Sequence, residues 1–306
     1  GIHSMQKRVV KFGGSNLKSR EDIRKLVEVV GKYKEPVIVV VSAFFGITNY
    51  LTEGLETVRS DQSHVDSMRD FLHQMKRETI DEHISDPIRA ENVFGKVALR
   101  IEQLEKYLLG IHYIGEVPAF VEDRVLSYGE RLSSLLLTEI LRYAGIDADE
   151  KLPEDIGLVT DGEFRNATVD FDRSEAAVKK ALKGNRVFVV PGFYGVSLEG
   201  KVTLLGRGGS DYSAAAIARC LDAESLDIWK DVNGYMTADP KIVEHPLRIE
   251  TLSYTEAAEL SYFGAKILHP RTVEPLLEKG IPIRIFNIDH ADPLAPALSQ
   301  ITDAVT

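Results

Sequence analysis

The apolar positions along this chain follow two periods, and the period changes at turn-forming residues. The run Arg8–Phe12 is short, mostly apolar, and stops at Gly13-Gly14. Ile23, Leu26, Val27 and Val30 then recur at i, i+3, i+4 and i+7, which predicts an amphipathic helix. Residues 37–41 are an unbroken β-forming run, the pattern of an interior parallel strand covered on both faces. Strand, helix and strand in this order make a βαβ unit.

From about residue 48 to 115 the period is helical, with Val93, Val97, Ile101, Leu104 and Leu108 in one stripe. Residues 121–143 continue helical, and Gly145 is a candidate C-terminal stop. Alternation then resumes. Residues 156–159, 186–190, 202–205, 226–229 and 282–286 read as strands, and residues 174–182 and about 211–221 as helices. Ser253 and Glu256 have the spacing of a capping box that opens a helix reaching Phe263. This alternation predicts an α/β protein: a three-layer α/β/α sandwich with a mostly parallel central sheet. The helical stretch at about 50–145 is expected as a lobe inserted within it.

Composition narrows the picture by exclusion. A chain with 44% hydrophobic and 27% charged residues has a globular balance, not a disordered one. Lys plus Arg number 37 and Asp plus Glu 47, a net charge of −10, which disfavours a nucleic-acid partner. The single cysteine, Cys220, excludes a disulfide framework and any multi-cysteine metal site. The uncharged stretch that includes residues 37–51 is too short and too polar to span a bilayer. Residues 1–4, ahead of Met5, read as an expression scar, and no signal-peptide pattern is seen. A cytoplasmic protein without a membrane partner is expected.

Two glycine-rich turns, at Gly13-Gly14 and at Gly206-Arg207-Gly208-Gly209, each follow a strand. Such turns let backbone N–H groups approach a phosphate, and a helix N-terminus behind them adds positive potential. They serve equally well as plain strand-to-helix turns. Neither is a Walker A loop, and Asp211 stands where a Rossmann fingerprint needs its third glycine. Lys11 lies just before the first turn, where its ammonium can reach a phosphate oxygen. No HExxH, no GxSxG and no histidine spacing suited to a metal occurs. Phosphoryl transfer needs mainly positioned cations, and it fits this inventory best when the acceptor is already an anion.

Several segments carry a resemblance. They are Lys11-Phe12-Gly13-Gly14-Ser15, Val41-Ser42-Ala43 with Gly46-Ile47-Thr48-Asn49, and Gly129-Glu130-Arg131-Leu132-Ser133. To these are added Leu205-Gly206-Arg207-Gly208-Gly209-Ser210-Asp211-Tyr212 and Trp229-Lys230-Asp231-Val232-Asn233-Gly234. Thr237-Ala238-Asp239-Pro240 and Phe263-Gly264-Ala265-Lys266-Ile267-Leu268-His269-Pro270-Arg271-Thr272 complete the set. In this order they closely resemble the motifs of aspartokinases, from residue 7 to about 288.

The resemblance implies the amino-acid kinase fold over residues 5–290, with 291–306 as a tail leading towards regulatory domains. It implies transfer of phosphate from ATP, with Mg²⁺, to the side-chain carboxylate of L-aspartate, the step that opens lysine, threonine and methionine synthesis. It implies a homodimer. By this likeness Lys11, Asp211 and Lys266 are the catalytic set, with Asp211 orienting the lysines. Ser42, Thr48, Glu130, Phe193, Arg207, Gly208, Gly209 and Ser210 form the aspartate pocket. In it Arg207 pairs with a carboxylate and Glu130 with the ammonium. Lys11, Gly13, Gly14, Ser15, Lys230, Asp231, Met236, Lys241, Lys266 and Ile267 fall at nucleotide-contacting positions, and no side chain is assigned as a direct metal ligand. Asn16, Lys230, Met236 and Lys241 depart from the commonest family pattern, mostly on the nucleotide side. The chain is expected to be a catalytic region whose activity does not respond to lysine or threonine. The rival expectations are another amino-acid kinase, acting on N-acetylglutamate, glutamate or carbamate, and a non-catalytic nucleotide-binding protein. A Rossmann oxidoreductase is disfavoured by Asp211.

Overall fold

The two apolar runs near the N-terminus form the middle of the sheet. In the computed structural model, which describes residues 6–231, 235–236, 248–262 and 268–303, β1 (Arg8–Phe12) pairs in parallel with two strands. These are β2 (Ile38–Val41) on one side and β7 (Ser225–Lys230) on the other. Beyond β2 come parallel β4 (Val187–Pro191) and the edge strand β3 (Ala148–Glu150). Beyond β7 come parallel β11 (Ile283–Asn287), antiparallel β12 (Ser299–Thr302) and β10 (Thr251–Ser253). A hairpin of β5 (Tyr194–Val196) and β6 (Val202–Leu204), and the short pair β8 (Tyr235–Met236) and β9 (Arg248–Ile249), lie outside this sheet.

Side chains along a strand alternate between faces, and that period divides the core in two. Val10, Phe12, Val39 and Val41 pack with α1 (Arg20–Lys32), α2 (Ile47–Ser60), α3 (Ser63–His83), α4 (Pro87–Ile114) and α5 (Ala119–Tyr143). Val9, Ile38 and Val40 face the other way, towards α7 (Phe171–Ala181), α8 (Gly209–Leu221), α9 (Tyr254–Tyr262) and α10 (Pro270–Leu277). Three layers result. In α5 every residue from Val125 to Leu141 is buried, the signature of a helix enclosed on all sides rather than along one stripe.

Buried charge is compensated where it ties elements together. Asp227 in β7 is fully buried, and Arg284 of β11 reaches both its oxygens, at 2.7 and 2.6 Å. Tyr33 Oη at 2.7 Å and Ser225 Oγ at 2.8 Å donate to the same carboxylate. A buried pair justifies its desolvation only when its remaining lone pairs are met in this way.

Most of the expected elements are present, and the capping box at Ser253 forms, with Glu256 N–H donating to Ser253 Oγ at 3.1 Å. Residues 156–159 are a correction. Pro153 starts a single turn, α6 (Pro153–Ile156), which ends at Gly157 with φ +74°. Val159 then makes only an isolated bridge to Val196. Residues 299–302, in the stretch read from sequence as a tail, form β12 within the main sheet. Among the described residues no helix is long and apolar enough to cross a membrane.

Candidate active site

The sheet order reverses at β1. The chain places β2, β3 and β4 on one side and then crosses back to build β7, β11, β12 and β10 on the other. In open α/β sheets ligands bind outside the carboxyl ends of the strands at such a switch point. A cavity of about 340 Å³ lies there. Lys11 and Gly14 come to it from the end of β1, residues 42–46 from the β2–α2 connection, Thr48 and Asn49 from the first turn of α2, and Glu130 from α5. Phe193, Gly206 and residues 208–211 close the remaining side.

Lys11 follows the alternation of β1 onto the α8 side of the sheet, where Asp211 stands in the first turn of that helix. Their ion pair measures 2.7 Å, and Lys230 at the end of β7 lies 3.8 Å from the other oxygen of Asp211. Burial lowers the pKa of Lys11 below its ordinary value, with Asp211 offsetting part of the effect. Burial acts to raise the Asp211 carboxyl, but Lys11 and Lys230 outweigh it and hold the group ionised below its usual range. Gly13 lets the lysine lie across the turn, since a Cβ there would come within 3.0 Å of Lys11 Nζ. Behind the turn, Asn16 Nδ2 donates to the carbonyl of Trp229 at 2.7 Å and fastens it to β7. Two helix N-termini, of α2 beside Thr48 and of α8 beside Ser210, also open on the cavity. Their free N–H groups add positive potential. This end of the cavity is built for phosphate-like anions.

The opposite requirement is met by Glu130. It is 3% exposed, and its Oε1 has no hydrogen-bond partner. Burial pushes its carboxyl up to about 8, against the pull of the Ala43 N–H and the Lys11 charge. A buried carboxylate of this kind gains most from a ligand that brings a cation. Across from it Phe193 holds φ +79°, a left-handed backbone rare for a bulky residue. Ser213 Oγ accepts its N–H at 2.7 Å, and its carbonyl accepts the Leu205 N–H at 2.8 Å. Its ring leaves room only for glycine at 209, where a Cβ would lie 2.7 Å from Cδ1.

The cavity thus gathers Lys11, Gly14, Ser42, Thr48, Glu130, Phe193, Gly208, Gly209, Ser210 and Asp211. Gly13 and Ser15 stand in the adjoining turn without lining it, Lys230 approaches through Asp211, and Asp231 is exposed at the end of β7. Arg207 is exposed on the loop, near enough for its charge to act on His269. Met236 takes its place in β8 by its backbone alone, its side chain being outside the described residues. Lys241, Lys266 and Ile267 also lie outside the described residues. Phe44 and Phe45 line the cavity without having been singled out from sequence, Gly206 was read only as part of the second glycine turn, and Ala43 and Asn49 sat unassigned inside a quoted motif.

A parallel sheet with a cation pair, glycine turns and helix N-termini at its switch point defines an α/β protein of the phosphate-handling class. The chain belongs to the amino acid kinase family, which matches residues 6–287. It is 32% identical over 298 residues to aspartokinase 1 of the Arabidopsis thaliana chloroplast, covering 94% of this chain and 51% of that protein. It is 34% identical over 286 residues to the lysine-sensitive aspartokinase 3 of Escherichia coli, covering 90% of this chain and 60% of that protein. The crystal structure of E. coli aspartokinase III with aspartate and ADP superposes with a TM-score of 0.84 at 28% identity, over 98% of this chain and 65% of that one. The chain therefore spans between about half and two thirds of these relatives.

Proposed function

We propose that this chain transfers the γ-phosphoryl group of ATP to the side-chain carboxylate of L-aspartate, giving ADP and 4-phospho-L-aspartate. The observation that carries the reading is one cavity with a cationic, helix-capped end and a buried carboxylate with a free oxygen. An amino acid with two carboxylates and one ammonium matches both ends. Its β-carboxylate is already an anion at neutral pH, so the reaction needs positioning and charge stabilisation, and no general base.

In this reading Lys11 faces the transferring phosphoryl group and meets the charge that spreads over its oxygens. Asp211 keeps the Lys11 and Lys230 ammonium groups in place. Glu130 takes the substrate's α-ammonium, whose charge returns the carboxyl to its ionised form. Arg207 offers its planar fork to the α-carboxylate. Ser42, Thr48, Phe193 and residues 208–210 shape the space between them. Gly13, Gly14 and Ser15 cradle phosphates, with Lys230, Asp231, Met236, Lys241, Lys266 and Ile267 on the nucleotide side. Among the described residues no three carboxylate, imidazole or thiol groups converge on a metal site. In this reading Mg²⁺ would come with ATP and neutralise charge on its phosphates. The proposal places this step at the entry to lysine, threonine and methionine synthesis and takes the working form as a homodimer, which light scattering would test.

The purified protein with Mg-ATP and hydroxylamine should give a hydroxamate with L-aspartate, and little with glutamate, N-acetylglutamate or carbamate. Trapping with N-acetylglutamate but not aspartate would overturn the substrate. ATP binding with no acyl phosphate from any of these acceptors would overturn the reaction.

A further inference from the structure

The loop that presents Arg207 is held from behind by a side chain that does not line the cavity. Arg271, in the first turn of α10, directs Nη1 to the carbonyl of Leu205 and, at 3.4 Å, to Oδ1 of Asn166. Its Nη2 donates to the carbonyl of Ala167 at 2.7 Å. The guanidinium lies 4.3 Å from the ring centre of Tyr212, whose hydroxyl accepts the Val169 N–H at 3.1 Å. Three acceptors from two separate loops therefore meet one planar fork on an aromatic face. An ammonium, a compact point charge, cannot reproduce that geometry.

What the fork fixes is the peptide entering the glycine turn. The Leu205 amide is tied to Phe193 and its carbonyl to Arg271, so the plane ahead of Gly206 has little freedom to rotate. Gly206 and Gly208 then take φ +77° and +69°. A Cβ at Gly206 would meet Asn166 Oδ1 at 2.7 Å, and one at Gly208 would meet His269 Cβ at 2.9 Å. His269 in turn accepts the Arg271 N–H through Nδ1 at 3.2 Å, so the start of α10 forms the wall behind the turn. The charges of Arg207 and Arg271 both act on His269. The Arg271 guanidinium is taken up by oxygens of Leu205, Asn166 and Ala167, whereas Arg207 is exposed and has no ion pair among the described residues.

We propose that Arg271 is a positioning residue for acceptor recognition, setting the direction in which the 206–209 turn presents Arg207 to the acceptor's carboxylate. The inference rests on the reading of Arg207 given above. R271K and R271M should each raise the KM for aspartate on the order of 10-fold, as expected when a binding group is displaced without being removed. The KM for ATP should stay within about twofold. Lysine should not rescue, and amide hydrogen exchange over residues 205–210 should quicken while the strands of the sheet keep their protection. R207K, measured alongside, separates the two claims. A raised aspartate KM in R207K, with parental KM and exchange in both Arg271 variants, overturns the role of Arg271 alone. An unchanged aspartate KM in R207K overturns the Arg207 reading and this inference with it. An equal rise of both substrates' KM in the Arg271 variants marks a general structural loss and also overturns it. If R271M does not fold, R271K, which keeps a cation and most of the stem, decides.

Discussion

Lys11 and Glu130 face the same cavity and are both buried, yet they stand in opposite situations. Lys11 has its counter-ion at 2.7 Å, and among the described residues replacing it would leave Asp211 paired with Lys230 alone, at 3.8 Å. Lys11→Ala is expected to lower kcat on the order of 10²–10³-fold, since its charge is most needed where phosphate charge is redistributed. A rate within a few-fold of the parent would remove it from the chemistry. Glu130 Oε1 has no hydrogen-bond partner among the described residues, and burial pushes the carboxyl from its ordinary value of 4.5 up to about 8. A group raised on folding contributes stability that is complete below the unfolded value and is lost as pH rises through the folded one. The parent should therefore lose stability between pH 4.5 and about 8 on account of this residue. Glu130→Gln should raise Tm relative to the parent more at pH 9 than at pH 5, while weakening aspartate binding. A Tm difference that does not change with pH, by calorimetry, would refute the assignment.

At the scale of elements, the pocket depends on turns more than on helices. Phe193 holds its left-handed backbone through Ser213 and Leu205, so its ring cannot retreat from the start of α8. Gly209→Ala should accordingly destabilise the fold by about 1–3 kcal/mol, the usual cost of overpacking, and raise the aspartate KM. Thermal melts and acceptor titrations of the variant check both. Long elements were legible in the sequence because their periods are long: the stripe from Val93 to Leu108 lies in α4, and the run at 37–41 contains β2. Three-residue strands such as β3 and β5 carry too few positions to show a period, and they form because neighbours pair with them. At residues 156–159 the local apolar character was real, but Pro153 and Gly157 chose a turn. The site followed the same rule. Lys11, Glu130 and Asp211 were visible through their motifs, whereas Phe44 and Phe45 had no pattern to mark them. Arg271 stood in a quoted motif, but its carbonyl partners are more than sixty residues away and become neighbours only in the fold.

At the scale of the molecule, the sheet needs residues from both ends of the chain. β12 sits between β10 and β11, parallel to one and antiparallel to the other. Removing residues 296–306 should expose the edges of both neighbours and lower Tm by several degrees, and a truncated protein that melts like the parent would contradict this. The reversal of strand order at β1 has a temporal consequence as well. Lys11 and Asp211, whose charges meet in the cavity, are two hundred residues apart along the chain. Each long loop closure costs entropy before any contact rewards it, and such topologies fold slowly. On dilution from denaturant the helices of the lobe, whose contacts are local, should regain ellipticity first. The proposed phosphoryl-transfer activity should return in a later, slower phase, so that turnover would report the last event of folding.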